Sequence, residues 1–222
     1  MARRKLHHYQ FNEGADNVIQ AGKPLYSGIK GKWNELYFEN SNPIVVELAC
    51  GKGEYTVGLG KVFSDKNFVG MDIKGDRIAR GSALASELNL TNVAFLRGGI
   101  QYSHEFFEEK ELSEIWLIHP DPQVRDRDEN KRLTNPTFLE KYAGFLKTKG
   151  IFCLKTDSSF LFEYSLDSLA KCGHFNILEF TDDLYQSQLL DEHFGVKTHY
   201  EGIFTSKGHT IKYIKAEVVN MH

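Results

Sequence analysis

A chain of 222 residues, 41% hydrophobic and 26% charged, carries enough apolar material for one sizeable buried core. No apolar run approaches the roughly 20 residues of a membrane helix, which argues against a membrane span. A net charge of −3 argues against a uniformly basic nucleic-acid binder, so contact with a polyanion must rest on local patches.

Residues 1–12 hold Arg3, Arg4 and Lys5 with no acid among them, together with His7 and His8. Such a terminus reads either as a solvated arm or as an RNA contact. No apolar core follows it, so a secretory signal is not expected. Residues 13–43 mix polar residues with Gly22, Pro24, Gly28, Gly31 and Pro43, and read as an irregular lead-in; the division expected is an arm and lead-in over 1–43 and one domain over 44–222. From there the pattern alternates. Strands are expected over 44–49, 67–72, 92–97, 113–118, 149–156, 174–180 and about 209–218, and helices over 53–63, 75–89, 135–146 and 158–172. Strands separated by helices of this length imply a parallel sheet covered on both faces, with ligands bound beyond the carboxyl ends of its strands. Cys50, Cys153 and Cys172 form no CxxC pair and sit in apolar patterns, as expected of reduced thiols in the cytoplasm.

The run from Ile44 to Glu54 opens an apolar strand into Cys50–Gly51–Lys52–Gly53, and Asp72 ends the next apolar run. Glycines there let backbone approach a ligand, and a carboxylate such as Asp72 can accept hydrogen bonds from both hydroxyls of a ribose. A dinucleotide fingerprint would need a third glycine, and that position is Thr56. Glu47, Asp72, Asp121 and Asp157 all fall at or just past expected strand ends, which makes one edge rich in carboxylates.

The run Glu47–x–x–Cys50–Gly51–x–Gly53 resembles the first motif of class I S-adenosylmethionine methyltransferases. Further along come His119–Pro120–Asp121–Pro122, then Asn130–Lys131–Arg132–Leu133–Thr134, Lys155–Thr156–Asp157 and Thr198–His199–Tyr200–Glu201. In that order, from about Pro43 to about Ala216, they look like the tRNA (guanine-N7-)-methyltransferase family. The resemblance implies an α/β, Rossmann-like fold with a mostly parallel seven-stranded sheet, S-adenosyl-L-methionine as cofactor, tRNA as partner and 7-methylguanosine in the variable loop as product. It places Glu47, Gly51, Gly53, Asp72 and Gly99 at the cofactor and Asp121 at the catalytic acid. Arg125, Asp157, Thr198, His199, Tyr200 and Glu201 fall at the substrate, and Arg127, Lys131 and Arg132 at the RNA. The family often has Phe where this chain has His119, Trp where it has Gln123, and an acid where it has Gly99. Between 119 and 133, Arg125, Arg127, Lys131 and Arg132 are balanced by Asp121, Asp126, Asp128 and Glu129, which weakens the electrostatic pull on RNA.

Guanine N7 has a lone pair and no proton, so its methylation needs alignment and a nearby carboxylate rather than a general base. Asp121 suits that role, with Asp157 in support. Lys155 pairs with an acid or with phosphate, and the sequence leaves both open. Cys50 reads as a small packed residue. No His or Cys spacing matches a metal site, so no metal is expected. Neither monomer nor homodimer is favoured. A small-molecule methyltransferase and a non-catalytic RNA-binding module on the same fold remain alternatives.

Overall fold

The computed structural model describes residues 2–219, and the side chains of residues 2–5 lie outside what it describes, as do those of the basic arm read above at Arg3, Arg4 and Lys5. The chain forms two compact units, Met1–Glu108 and Glu109–His222.

The first unit runs α1 (Ala2–Gly14), β1 (Val18–Ile19), a π-helical turn (Asn34–Phe38), β2 (Ile44–Leu48), α2 (Glu54–Val62), β3 (Asn67–Asp72), α3 (Gly75–Glu87), β4 (Val93–Arg97) and a 3₁₀ turn (Ile100–Glu105). Its strands lie in the order β1-β4-β3-β2, all parallel. All residues of β2 and β3 are buried, which explains why these strands read as unbroken apolar runs rather than as alternation. The amphipathic α3 packs on β4 and on α2.

The lead-in differs from expectation. Residues 2–14 form α1 and 18–19 add a strand, making eight strands among the described residues where seven were expected. The helix is fastened from outside: the Asn12 amide donates to the Gly75 carbonyl at 2.7 Å, and the Arg97 guanidinium lies 4.7 Å over the Tyr9 ring. Strand β1 pairs Val18 with Phe95, and the Phe95 amide donates to the Asn17 carbonyl at 2.8 Å.

The second unit runs β5 (Leu112–Ile118), a 3₁₀ turn (Asp126–Lys131), α4 (Pro136–Phe145), β6 (Leu146–Thr156), α5 (Ser159–Cys172), β7 (Phe175–Thr181), two 3₁₀ turns (Leu184–Gln186 and Leu190–His193), α6 (His199–Ser206) and β8 (Lys212–Val218). The strand order is β5-β6-β8-β7, with β5 parallel to β6 and β8 antiparallel to both neighbours. Local chemistry sets the helix ends. Asn135 caps α4 ahead of Pro136, Ser158 caps α5, and Gly173 ends α5 in the left-handed region at φ 71°. No helix among the described residues is long and apolar enough to cross a membrane.

Candidate active site

The glycine corner of the first unit is built between β2 and α2. Ala49, Gly51 and Gly53 all have positive φ, so the chain reverses through left-handed residues directly after the strand. Gly53, at the N-cap of α2, has φ 67°, and a Cβ there would stand 2.4 Å from the Phe95 ring. The same ring lies 2.9 Å from a Cβ built on Gly70 and 2.6 Å from one built on Gly81. Gly51 is the opposite case, since a Cβ there meets nothing within 4 Å.

Two carboxylates hold this corner. Asp72, the last residue of β3, accepts from the Gly51 amide at 2.9 Å and from the Lys74 amide at 2.8 Å, one on each oxygen. Glu47 is 6% exposed, and its Oε2 accepts both the Thr56 amide, at 2.8 Å, and the Thr56 hydroxyl. Burial pushes the Glu47 pKa up to about 7, against the pull of the two Thr56 bonds. Thr56, at the place of the missing third glycine, therefore has a task of its own. Cys50 is buried and burial raises its thiol well above the ordinary range, as a packed residue would show.

Gly99 caps the 3₁₀ turn after β4, and the neighbouring Gly98 amide donates to the Asp72 carbonyl at 3.1 Å. A Cβ on Gly99 would lie 2.8 Å from both Nε2 and Oε1 of Gln101, so that carboxamide fills the place of a side chain at 99. These residues fit a nucleoside cofactor. An ionised carboxylate has roughly four acceptor positions, so Asp72 keeps capacity for two ribose hydroxyls beside its two amides. Open space lies at Gly51.

The second unit gathers the other carboxylates. His119 follows β5 with φ 46°, and its amide donates to the Lys155 carbonyl at 2.8 Å. Asp121 stands exposed between Pro120 and Pro122 and accepts from the Gln123 amide at 3.2 Å. Asp157 follows β6; its Oδ1 lies 3.2 Å from His119 Nδ1. His119 Nε2 lies 3.6 Å from Glu201 Oε2, and Lys155 Nζ lies 3.0 Å from Glu201 Oε1 with neither Lys155 nor Glu201 exposed. The Tyr185 hydroxyl also donates to Glu201. Lys155 thus pairs with an acid, which closes the choice left open above. Burial alone would raise the Glu201 pKa, but His119, Lys155 and Tyr185 hold it well below the usual carboxylate range.

The run Thr198–Glu201 does not lead into a strand. It is a capping box: Thr198 accepts from the Glu201 amide and the Glu201 carboxylate accepts from the Thr198 amide, starting α6. His199 and Tyr200 are exposed on that first turn, and Tyr200 stacks on Phe204 with ring centres 6.4 Å apart.

The basic loop is organised around buried Asp128, which accepts from Arg125 Nε at 2.8 Å and Lys131 Nζ at 2.6 Å. These cations, Lys131 first, hold its carboxyl below the ordinary range. Arg132 is buried. Its guanidinium donates to the Gln123 carbonyl at 3.1 Å and lies 4.7 Å over the Phe160 ring and 4.5 Å over the Tyr164 ring. Arg127 is exposed. Among the described residues, no group of three or more His, Cys, Asp or Glu is placed to hold a metal ion.

Comparison with known proteins decides the family. Residues 41–214 match a family model described as a putative methyltransferase. A tRNA (guanine-N(7)-)-methyltransferase of Cytophaga hutchinsonii is 42% identical over 98% of both chains. One from Bacteroides fragilis is 48% identical over 84% of this chain and 73% of its own. The chain belongs to the tRNA (guanine-N7-)-methyltransferase family. Its fold is that of class I methyltransferases: the crystal structure of a 16S rRNA methyltransferase superposes with a TM-score of 0.64 at 12% identity, covering 84% of this chain and 92% of that one.

Within this methyltransferase, Thr56, Asp128 and Tyr185 were not singled out as partners of the site by sequence reasoning. The capping box was open to view, since Thr-x-x-Glu is a helix-start signature. Nothing local signals Tyr185, whose partner is 16 residues away.

Proposed function

We propose that this chain transfers a methyl group from S-adenosyl-L-methionine to N7 of a guanine in tRNA, forming 7-methylguanosine in the variable loop. The reading rests on the 42% identity that extends over 98% of the chain. Bound S-adenosyl-L-methionine supplies an electrophilic methyl on a sulfonium. Transfer of that methyl to N7 would leave positive charge on the purine for this chain's carboxylates to favour.

The chain's own residues orient and stabilise. Asp72 takes the ribose hydroxyls, the Gly51–Gly53 corner carries the remaining part of the cofactor, and Gly99 contributes backbone. Glu47 acts on that corner through Thr56. Asp121 faces the purine as the catalytic carboxylate, favouring its developing charge, and Asp157 accepts from the N1–H and N2–H₂ edge. His199, Tyr200 and Arg125 serve the substrate, with Thr198 and Glu201 setting the helix start that presents them. Arg127 and Lys131 meet RNA phosphates, whereas Arg132 pins their loop from inside. The catalytic work lies in 44–222, in the cytoplasm, in a monomer or homodimer.

The test is transfer of labelled methyl to bulk tRNA lacking this modification, followed by nucleoside analysis. Label in 7-methylguanosine is expected. Label absent from RNA but present in a small acceptor would favour the alternative that the charge-balanced loop around Asp128 suits.

A further inference from the structure

We propose that His119 is a positioning residue for the acceptor base: its imidazole bridges Asp157 and Glu201 and fixes the Asp157 carboxylate that takes guanine's pairing edge. The proposal rests on the reading of Asp157 given above.

The geometry is that of a wedge between two acids. The His119 side chain is 7% exposed; Nδ1 meets Asp157 Oδ1 at 3.2 Å and Nε2 stands 3.6 Å from Glu201 Oε2, just beyond hydrogen-bond reach. Glu201 cannot follow a moving ring. It is wholly buried, tied to Lys155 at 3.0 Å, bonded by the Tyr185 hydroxyl and locked into the capping box of α6. The ring's other neighbour is Phe204, with centres 5.9 Å apart. Asp157 is 24% exposed at its side chain, and His119 Nδ1 is the side-chain group that meets its Oδ1, so the imidazole helps to set its orientation. Asp121, in contrast, is held by the turn of its own loop.

The bridge works fully only when both ring nitrogens carry protons, because a neutral imidazole turns a lone pair towards one of the two acids. Burial and the Lys155 charge pull the His119 pKa down, but the hydrogen bond to Asp157 and the nearby Glu201 carboxylate overcome them and raise it above the ordinary value. The His209 charge also acts on Asp157, while Lys197 sits 4.2 Å over the Tyr185 ring beside His193. The imidazolium therefore persists to higher pH than that of an ordinary histidine and is lost as pH rises through the raised value. Acceptor binding should weaken on that alkaline side.

The test compares wild type, His119→Asn and His119→Phe by methyl transfer to unmodified tRNA across pH, with S-adenosylhomocysteine affinity measured calorimetrically as a check on folding. Both variants should bind S-adenosylhomocysteine like wild type, while kcat/KM for tRNA falls roughly tenfold or more and KM carries most of the change. The alkaline limb of wild-type kcat/KM should vanish in both. An active wild type whose pH profile and KM survive both replacements overturns the role of His119 alone. A wild type that binds S-adenosylhomocysteine yet methylates no tRNA overturns the functional reading and this proposal with it.

Discussion

Lys155 and Glu201 form an ion pair at 3.0 Å with neither side chain reached by solvent. Removing one charge takes from the other its closest opposite charge in a buried setting, where such a loss reaches about 3–5 kcal/mol. Lys155→Met is expected to lower the urea midpoint accordingly. Replacing both partners together, as Lys155→Met with Glu201→Leu, should recover part of it.

Glu47 sets a pH dependence of stability. Its folded pKa of about 7 lies above the ordinary 4.5, so between those values the folded chain holds a proton that the unfolded chain has released. Stability from this group is therefore full below about pH 4.5 and falls as pH rises towards about 7. Glu47→Gln, which can still accept from Thr56, should remove that slope in denaturation curves taken across this range.

Gly51 and Gly53 should respond differently to alanine. At Gly53 the new methyl meets the Phe95 ring at 2.4 Å in a left-handed residue, so overpacking of about 1–3 kcal/mol adds to backbone strain. At Gly51 only the left-handed backbone resists, at about 1–2 kcal/mol, while the methyl enters the space assigned to the cofactor. Calorimetry should find cofactor affinity reduced in both, but Gly53→Ala should show the larger fall in melting temperature.

Asp121 is exposed and makes its hydrogen bond within its own turn, so Asp121→Asn should fold normally. Turnover is expected to fall by about two orders of magnitude or more, the scale for loss of a preorganised electrostatic group. Cofactor affinity should stay unchanged, and unaltered turnover would remove the assignment.

Arg127 and Arg132 separate the proposed RNA contact from loop structure. Arg127→Ala should lower the slope of log affinity for tRNA against log salt by about 1. Arg132→Lys should leave that slope alone. It loses the stack on Phe160 and Tyr164 and should show as faster proteolysis of the 123–132 loop.

Strands β2 to β8 lie within a few residues of the expected ends; β2 and β3, buried throughout, leave the most continuous apolar trace, whereas β7 has one buried residue. The carboxylates at their ends could be located the same way. What escaped depends on contacts distant in sequence. α1 is held by Tyr9 on Arg97 and Asn12 on Gly75, pairs that no local window joins. His119 meets Asp157 across 38 residues and Lys155 meets Glu201 across 46. α6 is different: Thr198 and Glu201 carry its start signal within three residues of each other.

The phenyl ring of Phe95 stands where Cβ atoms on Gly53, Gly70 and Gly81 would have to go. One side chain on β4 thus limits how far three backbone segments can change: the Gly51–Gly53 corner, a strand and a helix. Drift at any of the three glycines needs a smaller residue at 95 first, and a smaller residue at 95 opens a void until a glycine enlarges. Across related sequences these four positions are therefore expected to change in concert or stay fixed, a coupled history that an alignment can read directly.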